Sequence, residues 1–248
     1  MRTGLLSIDN EELIDQLFPK YSMVVPSSMQ ITIQAAEAYY KNRGGKGDDD
    51  EGVVVECGVW RGGMSVLLAK LFPTKSLYLC DSFVGFEPIG ASPYSLPLAK
   101  NPEGPAAGGE RHYPEKPLVW QGEQASWRVS KEQVEQNLAD FGLVPELHGI
   151  KFVPGFIRDS LPPILGELDK ISCLRIDVDA YAATYECLKM LYDKVEDGGI
   201  IIFDDYKEVE EATSAIHAFE TERALHFDFL PDRCLGCYIV KKDKREAC

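Results

Sequence analysis

Residues 171–205, ISCLRIDVDAYAATYECLKMLYDKVEDGGIIIFDD, carry the unit on which the fold reading rests. ISCLRID (171–177) and GGIIIFDD (198–205) are short, mostly apolar runs, and Ala182 to Lys194 between them has apolar residues at helical spacing. A strand, a helix and a second strand in this order predict parallel neighbours in one sheet. The same alternation extends upstream. VVVE (53–56) and SLYLCD (76–81) are strands on either side of a helix over Gly62 to Phe72, and IKFVPG (150–155) is a further strand before a short helix, Ser160 to Leu168. SKEQVEQNLADFG reads as a helix capped by Ser130, with Gln133 at the capping-box position and Gly142 at its end. Downstream, Glu208 to Arg223 is helical, and HFDFL and GCYIVKK, separated by PDRCLG, predict a terminal hairpin that adds an antiparallel strand. Helices over Asn10 to Leu17 and Ser28 to Asn42, with Ser27 or Ser28 as the second helix's N-cap, make residues 1–50 an N-terminal helical cap. Residues 87–124 are rich in Pro and Gly and too long for a plain connection, which predicts a lid or acceptor-binding loop. The expectation is one α/β domain over 1–248, a parallel sheet with helices on both faces.

Composition narrows the function classes. The 248 residues include 26 Lys+Arg against 40 Asp+Glu, a net charge of -14. Such a surface repels phosphate backbones and anionic lipid, so neither nucleic acid nor membrane is an expected partner. No apolar run approaches the roughly 20 residues needed to span a bilayer. No secretory signal pattern stands out, and the 7 Cys, an odd number, are scattered through candidate strands and helices, so the expected setting is a reducing cytoplasm.

In an open parallel sheet, ligands bind beyond the carboxyl ends of the strands, so the polar residues there matter most. The first strand runs into Glu56-Cys57-Gly58-Val59-Trp60-Arg61-Gly62-Gly63, a turn whose glycines let main chain approach a ligand. It is neither GxGxxG nor a phosphate-binding loop, and Glu56 disfavours a pyrophosphate. The second strand ends in Asp81, at the place where a carboxylate accepts from a ribose diol; capping of the next turn through Ser82 and Phe83 is the other reading. A nucleoside site without a pyrophosphate cradle, carrying an acidic end, fits S-adenosylmethionine. Asp177 and Asp179 end the fourth strand and Asp204 and Asp205 the fifth. If those strands are neighbours, four carboxylates converge and need a cation. Oxygen-only donors point to Mg²⁺ or a similar hard ion. Asp177 and Asp179 face the same way if the strand stays extended that far.

VVVECGVWRGGMSVLLAKLF, LCDSFVGFEP, FVPGFIRDSLP, LRIDVDAYAATYECLKMLYDKVEDGGIIIFDDY and GCYIVKK resemble, in this order, the macrocin O-methyltransferase family. The resemblance runs from about Val53 to Lys241 and implies a class I, Rossmann-like methyltransferase sheet that uses S-adenosylmethionine and Mg²⁺ on sugar hydroxyls of natural products. By that resemblance Glu56, Gly58 and Gly62, with Cys57 between them, wrap the methionine end of the donor. Asp81 and Ser82 take its ribose, Asp159 lies near adenine, and Asp177, Asp204 and Asp205 hold the metal. The chain departs from the family at YAAT (181–184), at His217 and over 87–124. The resemblance also suggests self-association into a homo-oligomer.

The expected reaction is methyl transfer to a hydroxyl of a small-molecule or glycosidic acceptor with adjacent hydroxyls. Asp179 is the first choice of general base, and His217, on the helix after Asp205, is the rival. A catechol or phenol acceptor and a non-catalytic donor-binding scaffold are the alternatives. Cys234 and Cys237 have CxxC spacing but no second pair, which speaks against zinc.

Overall fold

The crossover unit at 171–205 is present and forms the middle of a six-stranded sheet. The computed structural model describes residues 10–43, 52–86, 119–120, 123–124, 127–231 and 236–242. Two helices, α1 (Asn10–Leu17) and α2 (Pro26–Asn42), lead into β1 (Val53–Cys57), α3 (Gly63–Leu71) and β2 (Leu77–Asp81). A two-residue antiparallel pair, β3 (Val119–Trp120) with β4 (Glu123–Gln124), is all that is described between 87 and 126, so the rest of the expected lid over 87–124 lies outside the described residues. Next come α4 (Lys131–Asp140), α5 (Pro145–His148), β5 (Ile150–Pro154), α6 (Ile157–Ser160) and a 3-10 turn at Pro162–Glu167. The chain continues with β6 (Ile171–Ile176), α7 (Tyr181–Leu191), β7 (Val195–Phe203), α8 (Glu210–Arg223) and β8 (Cys237–Val240).

The sheet order is β5-β2-β1-β6-β7-β8, parallel throughout except for β8, which pairs antiparallel with β7. After β1 the chain builds outward through β2 and β5, then returns to place β6 on the other side of β1. The order therefore reverses between β1 and β6, where crevices open in such sheets. Strand alternation splits the interior in two. Val54, Cys173, Ile200 and Ile202 face the core shared with α1–α4, while Val55, Leu174, Ile201 and Phe203 face the core shared with α6, α7 and α8. Cys57, Cys80, Cys173, Cys187 and Cys237 are all buried as free thiols.

Two local expectations change. The second helix starts earlier than Ser28: Val25 is its N-cap and Pro26 its first residue, with no side-chain cap, because proline's fixed φ and missing N–H suit that position. The terminal hairpin is slighter than HFDFL implied. Its first arm reduces to one bridge, in which Leu230 and Tyr238 exchange main-chain hydrogen bonds of 2.8 Å. The Ser130 cap is as read, its Oγ accepting from the Gln133 N–H at 3.3 Å. Away from the carboxyl edge, Glu196 on β7 accepts from Tyr39 (3.0 Å) and Ser172 (2.8 Å) and pairs with Arg43 (2.8 Å) and Lys170 (3.3 Å), tying α2 to the sheet. No helix among the described residues is long and apolar enough to cross a membrane.

Candidate active site

Because β6 and β7 are in parallel register with Ile176 opposite Phe203, the residues that follow them, Asp177 and Asp204, emerge side by side. With Asp205 they bring carboxylate oxygens within 4.8 Å of one another. Asp177 and Asp204 are 25% and 16% exposed, so the cluster opens to the carboxyl edge of the sheet. Burial pushes the Asp177 carboxyl well up, and repulsion from Asp204 adds to that against the pull of Arg175. Asp205 is pushed up to about 10 by burial, then by Asp177, Asp179 and Asp204. Each direction means that the ionised cluster is costly without a cation. The donors are oxygen only, which suits a hard divalent ion.

Asp179 joins this group by a different route from the one expected. β6 ends at Ile176, and Asp179 has a left-handed φ of 55°, so strand alternation does not extend to it. Its N–H donates to Asp205 Oδ2 at 3.0 Å, which folds the turn back over the end of β7. Burial and then Asp204 push its carboxyl up to about 6, against a hydrogen bond with Asp205.

Arg175 is the residue that sequence reasoning missed. It is opposite Glu56 in the β1–β6 register, is 1% exposed, and sits in the midst of three acids. One guanidinium nitrogen donates to Glu56 Oε1 at 3.1 Å; the other donates to Asp177 Oδ2 at 2.7 Å and Asp204 Oδ1 at 2.8 Å. Ser65, at the start of α3, donates to Glu56 Oε2 at 2.5 Å. The available signal was a charge within each of two apolar runs, since buried charges need partners of opposite sign.

The donor-side residues divide. Glu56 is fully buried, with its oxygens engaged by Ser65 and Arg175. Burial raises its carboxyl to about 7, against Arg175 and Ser65. With one oxygen on Ser65 and the other on Arg175, it braces the turn from beneath. Cys57 is likewise buried, its side chain in the core on the opposite face. Gly58 and Gly62 have φ of 88° and 84°. Their need for glycine comes from the protein's own packing, since a Cβ would stand 1.7 Å from Asp177 O at Gly58 and 2.9 Å from Val134 Cγ1 at Gly62.

Asp81 caps the turns on either side of it. Oδ2 accepts from the Val59 (2.8 Å) and Trp60 (3.2 Å) N–H groups, and Oδ1 from Phe83 N–H (2.8 Å), so it shapes the turn while remaining partly exposed. Ser82 Oγ donates to the Gly85 carbonyl and accepts from Val84 N–H, closing the next turn. Asp159, on α6, is 66% exposed and pairs with Arg158 at 3.3 Å. His217 is exposed on α8 with Nε2 3.2 Å from the Tyr206 hydroxyl, and it is not one of the three clustered carboxylate positions. Cys237 is buried in β8, and Cys234 lies outside the described residues.

The family model described as macrocin O-methyltransferase (TylF) matches residues 21–233. Demethyldecarbamoylnovobiocin O-methyltransferase of Streptomyces niveus is 28% identical over 181 residues, covering 71% of this chain and 61% of that protein, so the chain spans about six tenths of that relative's length. Mycinamicin III 3''-O-methyltransferase of Micromonospora griseorubida is 25% identical over 196 residues, covering 77% of this chain and 69% of that protein. Among solved structures, the O-methyltransferase NovP matches with a TM-score of 0.69 at 24% identity, over 90% of this chain and 83% of that one. The methyltransferase MycE in complex with Mg and SAH matches with a TM-score of 0.53 at 14% identity, over 97% and 56%; likeness at this level speaks for the fold. With a family match extending from the loop after α1 to beyond the last helix, and the motif carboxylates gathered where β6 and β7 end, the chain belongs to the macrocin O-methyltransferase family.

Proposed function

We propose that this protein transfers a methyl group from S-adenosylmethionine to a hydroxyl of a small-molecule acceptor, a sugar or glycoside with adjacent hydroxyls, using Mg²⁺ held by Asp177, Asp204 and Asp205. The observation that carries the reading is the convergence of these three carboxylates within 4.8 Å at an open sheet edge. The residues fit a divalent ion in donor type and in charge: Glu56, Asp177 and Asp204 share one buried counter-charge, Arg175, and Asp205 adds a further carboxylate to the cluster. A bound divalent cation lowers the pKa of a coordinated hydroxyl and fixes its position. S-adenosylmethionine supplies the electrophilic methyl group.

The chain's own residues do the rest. Asp179, raised to about 6, is suited to take the acceptor proton near neutral pH. Asp81 keeps the β1 turn closed through Val59 and Trp60, and its Oδ1, which accepts one main-chain bond, has room to accept from a ribose hydroxyl beside Ser82. The exposed Asp159 carboxylate is available to an adenine amine. Glu56 acts through Ser65 and Arg175 by holding the turn in place.

The test is calorimetric titration of metal-stripped protein with S-adenosylhomocysteine, with and without Mg²⁺, followed by acceptor screening with deoxysugar glycosides and catechols. Saturable donor-product binding, a separate Mg²⁺ site and glycoside turnover are the expected results. Absence of donor-product binding in both conditions would remove the donor assignment and the reaction with it.

A further inference from the structure

Each of the three candidate metal carboxylates has one oxygen engaged by a protein donor. Arg175 occupies Asp177 Oδ2 and Asp204 Oδ1, and the Asp179 N–H occupies Asp205 Oδ2. One oxygen of each acid is thus oriented by a protein donor, while Asp177 Oδ1, Asp204 Oδ2 and Asp205 Oδ1 are the second oxygens of the same groups. The clamp is well anchored. Arg175 is buried in β6, and its remaining terminal nitrogen is held by Glu56, which Ser65 holds in turn. Such a planar fork fixes carboxylate orientation as a point-charge ammonium does not.

Cation choice follows from how many oxygens each acid can give. Ca²⁺ takes six to eight oxygens in a flexible shell and often claims both oxygens of a carboxylate. Mg²⁺ requires near-octahedral geometry and accepts single oxygens at about 2.0–2.1 Å. We propose that Arg175 is a positioning residue that sets the choice of cation: by locking one oxygen each of Asp177 and Asp204 it enforces one-oxygen ligation and makes the site select Mg²⁺ over Ca²⁺. The inference rests on the reading of Asp177, Asp204 and Asp205 as a cation site. It adds a residue and a specificity to that site, in the way that partners behind a ligand commonly tune a metal centre.

The experiment is calorimetric titration of metal-stripped protein with MgCl₂ and, separately, CaCl₂. Wild type is expected to bind Mg²⁺ at least tenfold more tightly than Ca²⁺. Arg175→Lys keeps the charge without the fork, and the double variant Glu56→Gln/Arg175→Met neutralises the fully buried Glu56 together with Arg175, leaving the partly exposed Asp177 and Asp204 to the cation. In both, the Mg²⁺/Ca²⁺ affinity ratio is expected to fall to threefold or less. A purely electrostatic role would change affinity for both ions alike and leave the ratio where it was, which overturns the proposal. So does a wild-type ratio below threefold, a result that requires no variant to fold. No saturable binding of either ion by wild type would instead defeat the cation-site reading itself.

Discussion

Replacing Gly58 with alanine tests how the donor turn and the metal carboxylates share one piece of main chain. At φ 88° the new Cβ would stand 1.7 Å from the Asp177 carbonyl oxygen and 2.6 Å from its carbon. Real Cβ contacts essentially never fall below 3.0 Å, so the ends of β1 and β6 must part by more than 1 Å. A left-handed alanine costs about 1–2 kcal/mol. Forcing packed main chain apart adds about 1–3 kcal/mol. In a protein of this size each kcal/mol lowers Tm by about 2–4 °C, so Gly58→Ala should melt some 4–20 °C below wild type. Gly142 supplies the control: its φ is 73°, and a Cβ there meets nothing within 4 Å, so Gly142→Ala bears the conformational cost alone. Thermal unfolding by circular dichroism compares the two, and Mg²⁺ titration reports whether Asp177 has moved. The reasoning fails if Gly58→Ala melts no lower than Gly142→Ala, or if it binds Mg²⁺ as wild type does.

Asp204→Ala should abolish Mg²⁺ binding and turnover while leaving S-adenosylhomocysteine affinity within about threefold, read by calorimetry and methyl-transfer assay, since a buried ligand set that loses one acid cannot hold the ion. Asp179→Asn should lower kcat by about 10²–10⁴ with Mg²⁺ affinity little changed, the range for losing a proton acceptor; an unchanged kcat would move the base elsewhere. His217→Ala should stay within about threefold of wild-type kcat, because the ring is exposed and bonds only to Tyr206 among its described partners. Glu196→Gln tests the polar tie under α2. Burial alone would raise this carboxyl, but hydrogen bonds from Arg43, Ser172 and Tyr39 hold it below the usual range. A depressed acid contributes stability above its unfolded pKa and loses it as pH falls through the folded one. The variant should therefore be less stable by about 1–3 kcal/mol at pH 7, and the difference should vanish in acid. Denaturant unfolding across pH 3–7 checks it.

The alternation of runs was enough to order the sheet, because β-branched strands buried on both faces look unlike the amphipathic helices between them. The placement of Asp177 and Asp204 was legible for the same reason: both directly follow strands, and adjacent parallel strands deliver their carboxyl ends together. Side-chain partnership was not legible. Glu56 has the residue type of a ligand contact, and only the β1–β6 register shows Arg175 opposite it, turning it inward. Asp179 defeated the alternation rule because β6 ends three residues before it and the chain turns left-handed there. His217 has the right chemistry at a helical position that faces solvent, a matter of helix phase that one histidine does not reveal.

The buried thiols give this protein an internal clock for its own opening. Cys173 is in the central strand β6 and Cys237 in the edge strand β8, and burial pushes both thiols up, so each is short of thiolate as well as shielded from reagent. Alkylation requires thiolate and access together. Under native conditions, modification at either position therefore counts excursions in which its strand leaves the sheet. Because β8 is paired with a strand on one side and by a single bridge on the other, whereas β6 has a strand on both sides, peptide-resolved labelling at Cys237 ahead of Cys173 would describe a sheet that frays from its antiparallel edge before the centre of the site lets go.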